Sequence, residues 1–332
     1  MIMIKRLHKS VDVYIDMVNR FLKNISPEWM WKSGHYSGSS LRIGIPRMFY
    51  YYIYPNLWET FFGELGMEPV VSGPSTKKTV ENASRISETE HCLPNKLFDA
   101  HLAELVGKVD MVFVPRVLST IKDHLSCPKF GPLPDAARAD IARGTEVLSI
   151  DIDETRRPLS STLLLLGKKL NIKKSNTLPA IKSAFSAMES ANKKMVMLNK
   201  KKGKTRFLLI GHPYIIHDNF IAGPILSKLE SMGVEVELIS FADDTPATSY
   251  ILWGTANKIY HKLNTLSSED YDGVIQITVF NCGCDSMMID TYRQLVKDKN
   301  VPYMYLMVDE HLAQSGIDTR VEAFIDSLRW RK

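Results

Sequence analysis

The sequence predicts an α/β protein with two doubly wound parallel sheets and a helical insert between them. Runs of β-branched and other apolar residues alternate with helix-like segments in both halves of the chain, which is the pattern of parallel strands joined by helical crossovers. Between the halves, residues 136–203 are helical and polar in pattern. The chain has 332 residues, 45% of them hydrophobic, which is enough for two domains with ample core.

The first predicted domain covers residues 1–135 and begins with one or two amphipathic helices over residues 1–33. Gly66 ends a later helix, and Pro94 lies in the first turn of another, where proline is tolerated. The predicted strands are 42–47, 67–73 and 110–116, and the predicted helices between them are 56–66 and 92–109.

The predicted insert, 136–203, shows no convincing strand, and the alternation resumes in a second domain over residues 204–332. Both domains are therefore expected to be Rossmann-like, and the two halves could be related in architecture. The predicted strands of the second domain are 205–214, 234–240, 273–280 and 301–309, and its predicted helices are 224–233, 248–264, one from near residue 286, and 319–330.

Charge and hydropathy favour a cytoplasmic protein that binds neither membrane nor nucleic acid. The net charge is only +5, and much of it lies in residues 192–204, which we interpret as a solvated helix end or linker. No apolar run reaches the roughly 18–20 residues of a membrane span. The N-terminus lacks the apolar stretch and cleavage site of a secretory signal.

The absence of familiar sequence motifs argues against several common enzyme classes. Neither G-x-G-x-x-G nor G-x-x-x-x-G-K-[ST] follows any predicted strand, so a dinucleotide enzyme or a P-loop ATPase is disfavoured. The G-x-S-x-G nucleophile elbow of the α/β hydrolases is absent as well.

The four cysteines are Cys92, Cys127, Cys282 and Cys284, and each falls in a loop or at the start of a helix. All four are expected at the carboxyl edges of the two sheets, where open α/β sheets bind ligands. A crevice between two such sheets would bring them together. Because a disulfide framework is not expected in a reducing cytoplasm, metal ligation, catalysis and inert burial remain open.

The surroundings of the cysteines bear on which metal they would bind. Thiolates are preferred by iron–sulfur clusters, zinc and Cu(I), and helix N-termini favour a thiolate or a negatively charged cluster. Gly283, Pro94 and Pro128 allow the backbone to approach closely. The absence of a C-x₂-C pair argues against zinc. Cys282 and Cys284 are also too close in sequence for both to bind one iron–sulfur cube easily. Spacing alone leaves metal binding undecided.

Several separate motifs resemble the 2-hydroxyacyl-CoA dehydratase-related family, and most of all its branch associated with the ATP-dependent activase of such enzymes. The motifs include "SETEHCLPNK", "DMVFVPR", "CPKFGPLPD", "FNCGCDS" and "VDEHLAQSGIDTRVEAFIDSL", and the resemblance spans residues 42–330. It implies two doubly wound α/β domains with a [4Fe–4S] cluster between them. It also implies three cysteine ligands, which leave one iron open to a small ligand.

On this resemblance the cluster ligands are Cys92 in E-x-C-x-P-x-K, Cys127, and Cys282 in F-x-C-G-x-D. Cys284 is expected to be the extra thiol, and it remains an additional candidate ligand. Other polar residues near these motifs are candidates for proton handling or for hydrogen bonding to the ligands. These catalytic candidates are Glu90, His91, Lys96, Asp285, Glu310 and His311.

Two alternatives concern residues at strand ends. His212 and His217 follow a predicted strand, but a lone histidine is more often a hydrogen-bonding loop residue than a ligand. Asp309 and Glu310 could carry acid–base chemistry, or they could cap a helix and pair with Arg320.

The resemblance further implies that an ATP-driven, cluster-containing activase supplies one electron for a reductive or dehydration reaction. A homodimer or a heterodimer is expected, with helices in 1–33 and 136–200 as contact surfaces. The chain shows no CoA-binding motif. The alternative functions are a non-catalytic iron–sulfur carrier or electron relay, and a structural metal-binding protein that binds a partner.

Overall fold

The computed structural model describes residues 41–197, 205–242, 248, 250–311 and 314–329, and all of them lie in one compact unit, Ser40–Lys332. The predicted helices over residues 1–33 and the end of the basic run at 192–204 lie outside the described residues. In the part of the chain that is described, every helix is too short or too polar to cross a membrane.

The first half of the described chain contains a four-stranded parallel sheet in the order β2-β1-β3-β5, and a parallel pair, β4 and β6. The order reverses between β1 and β3, which is the point where open α/β sheets bind ligands at their carboxyl edge. These strands are β1 (Arg42–Ile45), β2 (Glu68–Val71), β3 (Met111–Phe113), β4 (Arg116–Ser119), β5 (Glu146–Leu148) and β6 (Asp151–Asp153).

The second half contains another four-stranded parallel sheet, in the order β10-β9-β7-β8. The first strand of each half is central, the second lies on one side of it and the third on the other. The two sheets therefore share one strand order, and the predicted doubly wound α/β class is confirmed. The strands are β7 (Thr205–Ile210), β8 (Val234–Leu238), β9 (Gly273–Val279) and β10 (Tyr303–Val308).

Helices connect the strands, and a 3₁₀ turn at Pro128–Phe130 and a π-helical turn at Ala137–Ile141 lie between β4 and β5. The α-helices are α1 (Tyr50–Ile53), α2 (Leu57–Glu64), α3 (Lys77–Ile86), α4 (Leu93–Leu105), α5 (Leu133–Ala136), α6 (Leu159–Lys169), α7 (Lys174–Met197), α8 (Pro213–Ile216), α9 (Asn219–Ser231), α10 (Gly254–Asn264), α11 (Gly283–Asp298) and α12 (Gln314–Arg329).

Residues 136–203 differ from the prediction in one respect, because they contain two short strands, β5 and β6. β5 extends the first sheet by pairing with β3, so that Met111 lies opposite Glu146. Each strand has three residues, which is too short for alternation to show in the sequence. Helices α6 and α7 make up most of the described remainder of the segment, in line with the prediction, and α7 packs against α2.

Helix α9 begins five residues earlier than the sequence predicts, because Asp218 caps it. Asp218 Oδ1 accepts hydrogen bonds from the backbone N–H groups of Phe220 (3.0 Å) and Ile221 (3.1 Å). Pro224 consequently lies inside the helix rather than at its start.

Phe49 links segments that are far apart in the sequence. Its ring lies 5.6 Å from that of Phe98 in α4, 4.7 Å from Phe130 and 5.1 Å from Tyr214 in α8. The side chain is buried, and the backbone has φ 49° and ψ −105°, a region that costs a non-glycine residue roughly 1–3 kcal/mol. The packing of the ring has to outweigh that cost.

We expect Phe49→Ala to lower the free energy of unfolding by about 3–5 kcal/mol, because the buried ring is lost while the strain at this φ is kept by any Cβ. Denaturant unfolding followed by circular dichroism measures the change. Phe280→Ala is the matched control, since Phe280 is 57% exposed and its loss should cost at most about 0.5 kcal/mol. Equal losses in the two variants would contradict the role given to Phe49.

Candidate metal centre

All four cysteines line one cavity at the carboxyl edges of the strands, so the convergence expected from the sequence is present. Cys92, Cys127 and Cys282 are partly exposed, and Cys284 is buried. The rest of the wall is mostly apolar, with Lys129 as a cationic member. The apolar lining residues are Phe49, Pro94, Phe130, Tyr214, Ile215 and Val279.

Three of the thiols lie at the N-termini of helical segments. Cys92 is the N-cap of α4, Cys127 that of the 3₁₀ turn, and Cys282 that of α11. None of the three side chains caps its own segment by a hydrogen bond. The helix dipoles of α4 and α11 therefore favour negative charge on sulfur or on a group bound to it.

The turn before Cys282 is tied to the segment before Cys92. Asn281 adopts φ 62°, a left-handed conformation that asparagine tolerates better than most residues, and this reverses the chain between β9 and α11. Its Nδ2 donates to the backbone carbonyl of Glu90 at 3.4 Å. A residue of the second half is thus hydrogen-bonded to the segment that precedes Cys92 in the first half.

Cys127 and Cys284 are neighbouring thiols that shift each other's pKa. The Cys284 S–H stabilises the Cys127 thiolate, and this lowers the pKa of Cys127 to about 6. The same bond, together with burial, raises the pKa of Cys284 far above its usual range. Burial also raises the pKa of Cys92, although the nearby Lys129 opposes the shift. Cys127 is therefore the stronger nucleophile of the pair at neutral pH.

Next to Cys282 lies a buried group of polar side chains. His212 Nε2 is 3.2 Å from Asp285 Oδ1 and 3.9 Å from Cys282 Sγ, and Thr278 donates to Asp285 Oδ2 at 2.6 Å. The nearest ligand atoms of His212, Cys282 and Asp285 all lie within 4.8 Å of one another, so these three residues could hold a metal ion. Asp285 is among the residues that the sequence predicts for this site, whereas the sequence pattern favours a hydrogen-bonding loop role for His212.

The ionised forms of His212 and Asp285 stabilise each other electrostatically. Burial lowers the pKa of His212, but the Asp285 carboxylate and Cys282 outweigh it, and the pKa is held well above its usual range. Burial raises the pKa of Asp285, whereas His212 and the Thr278 hydroxyl reverse this and leave it lowered. The pair is therefore best described as an imidazolium and a carboxylate.

Two of the predicted catalytic candidates pair with each other across the halves of the chain. Lys96, in the first turn of α4, donates to Glu310 Oε1 at 2.9 Å, and the Lys96 side chain is only 7% exposed. The alternative pairing of Glu310 with Arg320 is wrong, because Arg320 donates to the Tyr305 carbonyl at 2.9 Å. The salt bridge with Lys96 lowers the pKa of Glu310.

The remaining candidates lie outside the lining of the cavity. Glu90 and His311 are exposed, and His311 donates its backbone N–H to Asp309 Oδ1 at 2.9 Å. His91 lies 2.8 Å from the side-chain nitrogen of Asn95. His217 lies in the wall of a separate pocket with Tyr52 and Phe241.

The residues present fit a bound metal group. The donor set consists of soft thiols, and Lys129 and the helix N-termini are available to offset negative charge. Gly283 lines the cavity, and a Cβ at this position would meet no atom within 4 Å. The expectation that Gly283 allows close backbone approach is therefore not supported, since the structure gives no steric reason for glycine at this position.

The fold and this site define an α/β protein with a cysteine-lined candidate metal centre between two parallel sheets. The family model described as the CoA enzyme activase uncharacterised domain matches residues 42–240, which is more than half of the chain. The chain belongs to this family. The matched region contains Cys92, Cys127 and His212 and ends before Cys282. The match confirms the activase-associated part of the resemblance seen in the sequence.

No curated protein matches the chain. Among solved structures, a deletion mutant of ZnuA with zinc bound is similar at 10% sequence identity, with a TM-score of 0.25, over 86% of this chain and 95% of that one. A likeness at this TM-score bears on neither fold nor metal.

We expect alkylation of Cys127 in the metal-free protein to be half-maximal near pH 6, the value to which the Cys284 hydrogen bond lowers its pKa. Mass spectrometry of peptides after timed treatment with iodoacetamide measures the rate at each cysteine. Cys284→Ala removes the donor and should shift the Cys127 profile to higher pH. An unchanged profile in that variant would show that the two thiols do not interact.

We expect Lys96→Met to destabilise the protein by about 2 kcal/mol, because Glu310 loses its partner in a partly buried position. Denaturant unfolding measures the change. Lys193→Met is the matched control: Lys193 pairs with Glu189 at 2.6 Å, but both side chains are exposed, so its unfolding midpoint should not move. A Lys96 variant as stable as the control would argue against the link between the halves.

Proposed function

We propose that this chain is an iron–sulfur protein of the 2-hydroxyacyl-CoA dehydratase-related type, with a [4Fe–4S] cluster held by Cys92, Cys127 and Cys282. The proposal rests on one observation: thiols from three separate segments, each at the N-terminus of a helical segment, line one cavity. The family to which the chain belongs carries the name of a CoA enzyme activase, which is consistent with this type of system.

When bound, a cluster with three cysteine ligands supplies a one-electron carrier and one iron that is open to a small ligand. The chain's own residues would create its surroundings. Lys129 and the N–H groups at the starts of α4 and α11 would offset the negative charge of the thiolates. Phe49, Phe130 and Tyr214 would limit the access of water and so strengthen these electrostatic interactions.

The proposed electron source is an ATP-driven activase that itself carries a cluster, and the proposed reaction is a reduction or a dehydration. The setting is cytoplasmic, and the chain acts as a homodimer or in a heterodimer with a similar chain. Turnover of an acyl-CoA with activase, ATP and reductant separates this enzyme from an iron–sulfur carrier, which would be reduced without forming product.

Strictly anaerobic purification with iron and sulfide analysis, and EPR of the reduced sample, tests the proposal. We expect one four-iron cluster per chain, or one shared between two chains, that is lost in air. Cys282→Ala should abolish the cluster because too few thiolates remain. Cys284→Ala should retain most of the iron, since Cys284 lies within the first turn of α11 and bonds to Cys127. The reverse result in these two variants would show that the ligand assignment is wrong.

A second candidate is a mononuclear metal site, favoured by the group of His212, Cys282 and Asp285. Nitrogen, sulfur and oxygen ligands together are typical of zinc. In that case the anaerobic protein would contain about one zinc per chain and neither iron nor sulfide, and His212→Ala would lose the metal.

A further inference from the structure

We propose that His212 is a positioning residue for the metal centre: it donates an N–H hydrogen bond to the Cys282 sulfur and so sets the reduction potential of the bound cluster. The inference rests on the proposed function, because it concerns a ligand of that cluster. It adds the residue that controls how easily the cluster accepts an electron.

The fold places His212 beside Cys282. His212 follows β7 and Cys282 follows β9, and these adjacent strands flank the point where the order of the second sheet reverses. Gly211 makes the close approach possible, because a Cβ there would lie 2.7 Å from the backbone oxygen of Ile277 in β9. The chain can therefore turn tightly against β9 and deliver the imidazole to the start of α11.

The imidazole is held in one orientation. Its ring stacks on Tyr214 with centroids 5.1 Å apart and planes 11° apart. Asp285 Oδ1 lies 3.2 Å from Nε2, and the Thr278 hydroxyl donates a hydrogen bond of 2.6 Å to the other carboxylate oxygen, Oδ2. His212, Asp285 and Thr278 are at least nine-tenths buried. Within the described residues His212 Nδ1 has no hydrogen-bond partner, so Nε2 is the ring nitrogen that both acceptors face.

The same geometry assigns the proton. Nε2 faces two acceptors, the Asp285 carboxylate and the Cys282 sulfur at 3.9 Å, and therefore carries hydrogen. A nitrogen engaged in this way does not offer a lone pair to a metal. Because charge-assisted hydrogen bonds are shorter than neutral ones, a thiolate at Cys282 would shorten the distance between His212 Nε2 and the Cys282 sulfur.

The direction of the effect follows from charge. An N–H directed at a ligating sulfur withdraws electron density and stabilises the reduced cluster, which carries one more negative charge. Loss of the donor should therefore shift the midpoint potential to a more negative value. His212→Leu removes the N–H donor, whereas His212→Gln keeps a side-chain N–H donor.

An EPR-monitored redox titration of the anaerobically purified protein tests the inference, with iron and sulfide measured on each variant. We expect His212→Leu to retain the cluster at a more negative potential and His212→Gln to lie between it and the wild type. His217→Leu is the matched control, since His217 belongs to the same segment but lines a different pocket. Its potential should equal that of the wild type.

The outcomes are distinguishable. Wild-type protein without iron and sulfide would overturn the proposed function, and the inference with it. An intact cluster with the same potential in His212→Leu and wild type would overturn the inference alone, and so would equal shifts in the Leu and Gln variants. Loss of iron from both variants, with folding intact by circular dichroism, would make His212 a ligand instead. If His212→Leu fails to fold, the midpoint potentials of His212→Gln and His217→Leu are compared instead. A more negative potential in His212→Gln alone supports the inference, and equal potentials overturn it.

Discussion

The packing of Phe49 is the constraint on which the cysteine cavity depends. Phe49 follows β1 at a strained backbone position, and its ring touches Phe98 on α4, Phe130 in the turn after Cys127, and Tyr214 in the segment after β7. One side chain thus contacts three of the segments that form the wall. Strained backbone persists only where surrounding structure enforces it, and it is concentrated at functional sites. Phe49 fits that rule, because the contacts that enforce its strain also shape the cavity.

Around this apolar contact, polar links join the two halves of the described chain. The Lys96–Glu310 ion pair and the hydrogen bond from Asn281 to the Glu90 carbonyl lie on the cysteine side. On another side, the buried Asp218 carboxylate accepts hydrogen bonds from Ser75 at 2.5 Å and Tyr52 at 3.2 Å. A buried charge with several donors is costly to separate from them. The cysteine segments are therefore held in fixed relation, as a preorganised metal site requires.

Local sequence signals predicted most of the fold, because long apolar strands and capped helices have residue patterns that can be recognised within a short stretch of sequence. They also predicted the convergence of the cysteines, since parallel strands in doubly wound sheets expose their carboxyl ends together. They missed β5 and β6, whose three residues show no periodicity. They could not identify Phe49, Tyr214 or Lys129 as part of the site, because only tertiary packing brings these side chains to the thiols. The importance of His212 likewise depends on Asp285, which lies on another strand–helix unit.

Cys284 and His212 each lie beside one of the proposed ligand thiols: Cys284 is next to Cys127, and His212 is next to Cys282. The Cys284 S–H stabilises the thiolate of Cys127 and so lowers the pKa of Cys127, and His212 Nε2 lies 3.9 Å from the Cys282 sulfur. Both donors are buried and come from the second half of the chain. Since a buried donor favours the charged form of an adjacent thiol, Cys284 prepares Cys127 for thiolate chemistry. Cys92 differs, because burial raises its pKa and Lys129 supplies the main opposing charge. The cavity is therefore electrostatically asymmetric, because the thiolate is favoured at Cys127 and disfavoured by burial at Cys92.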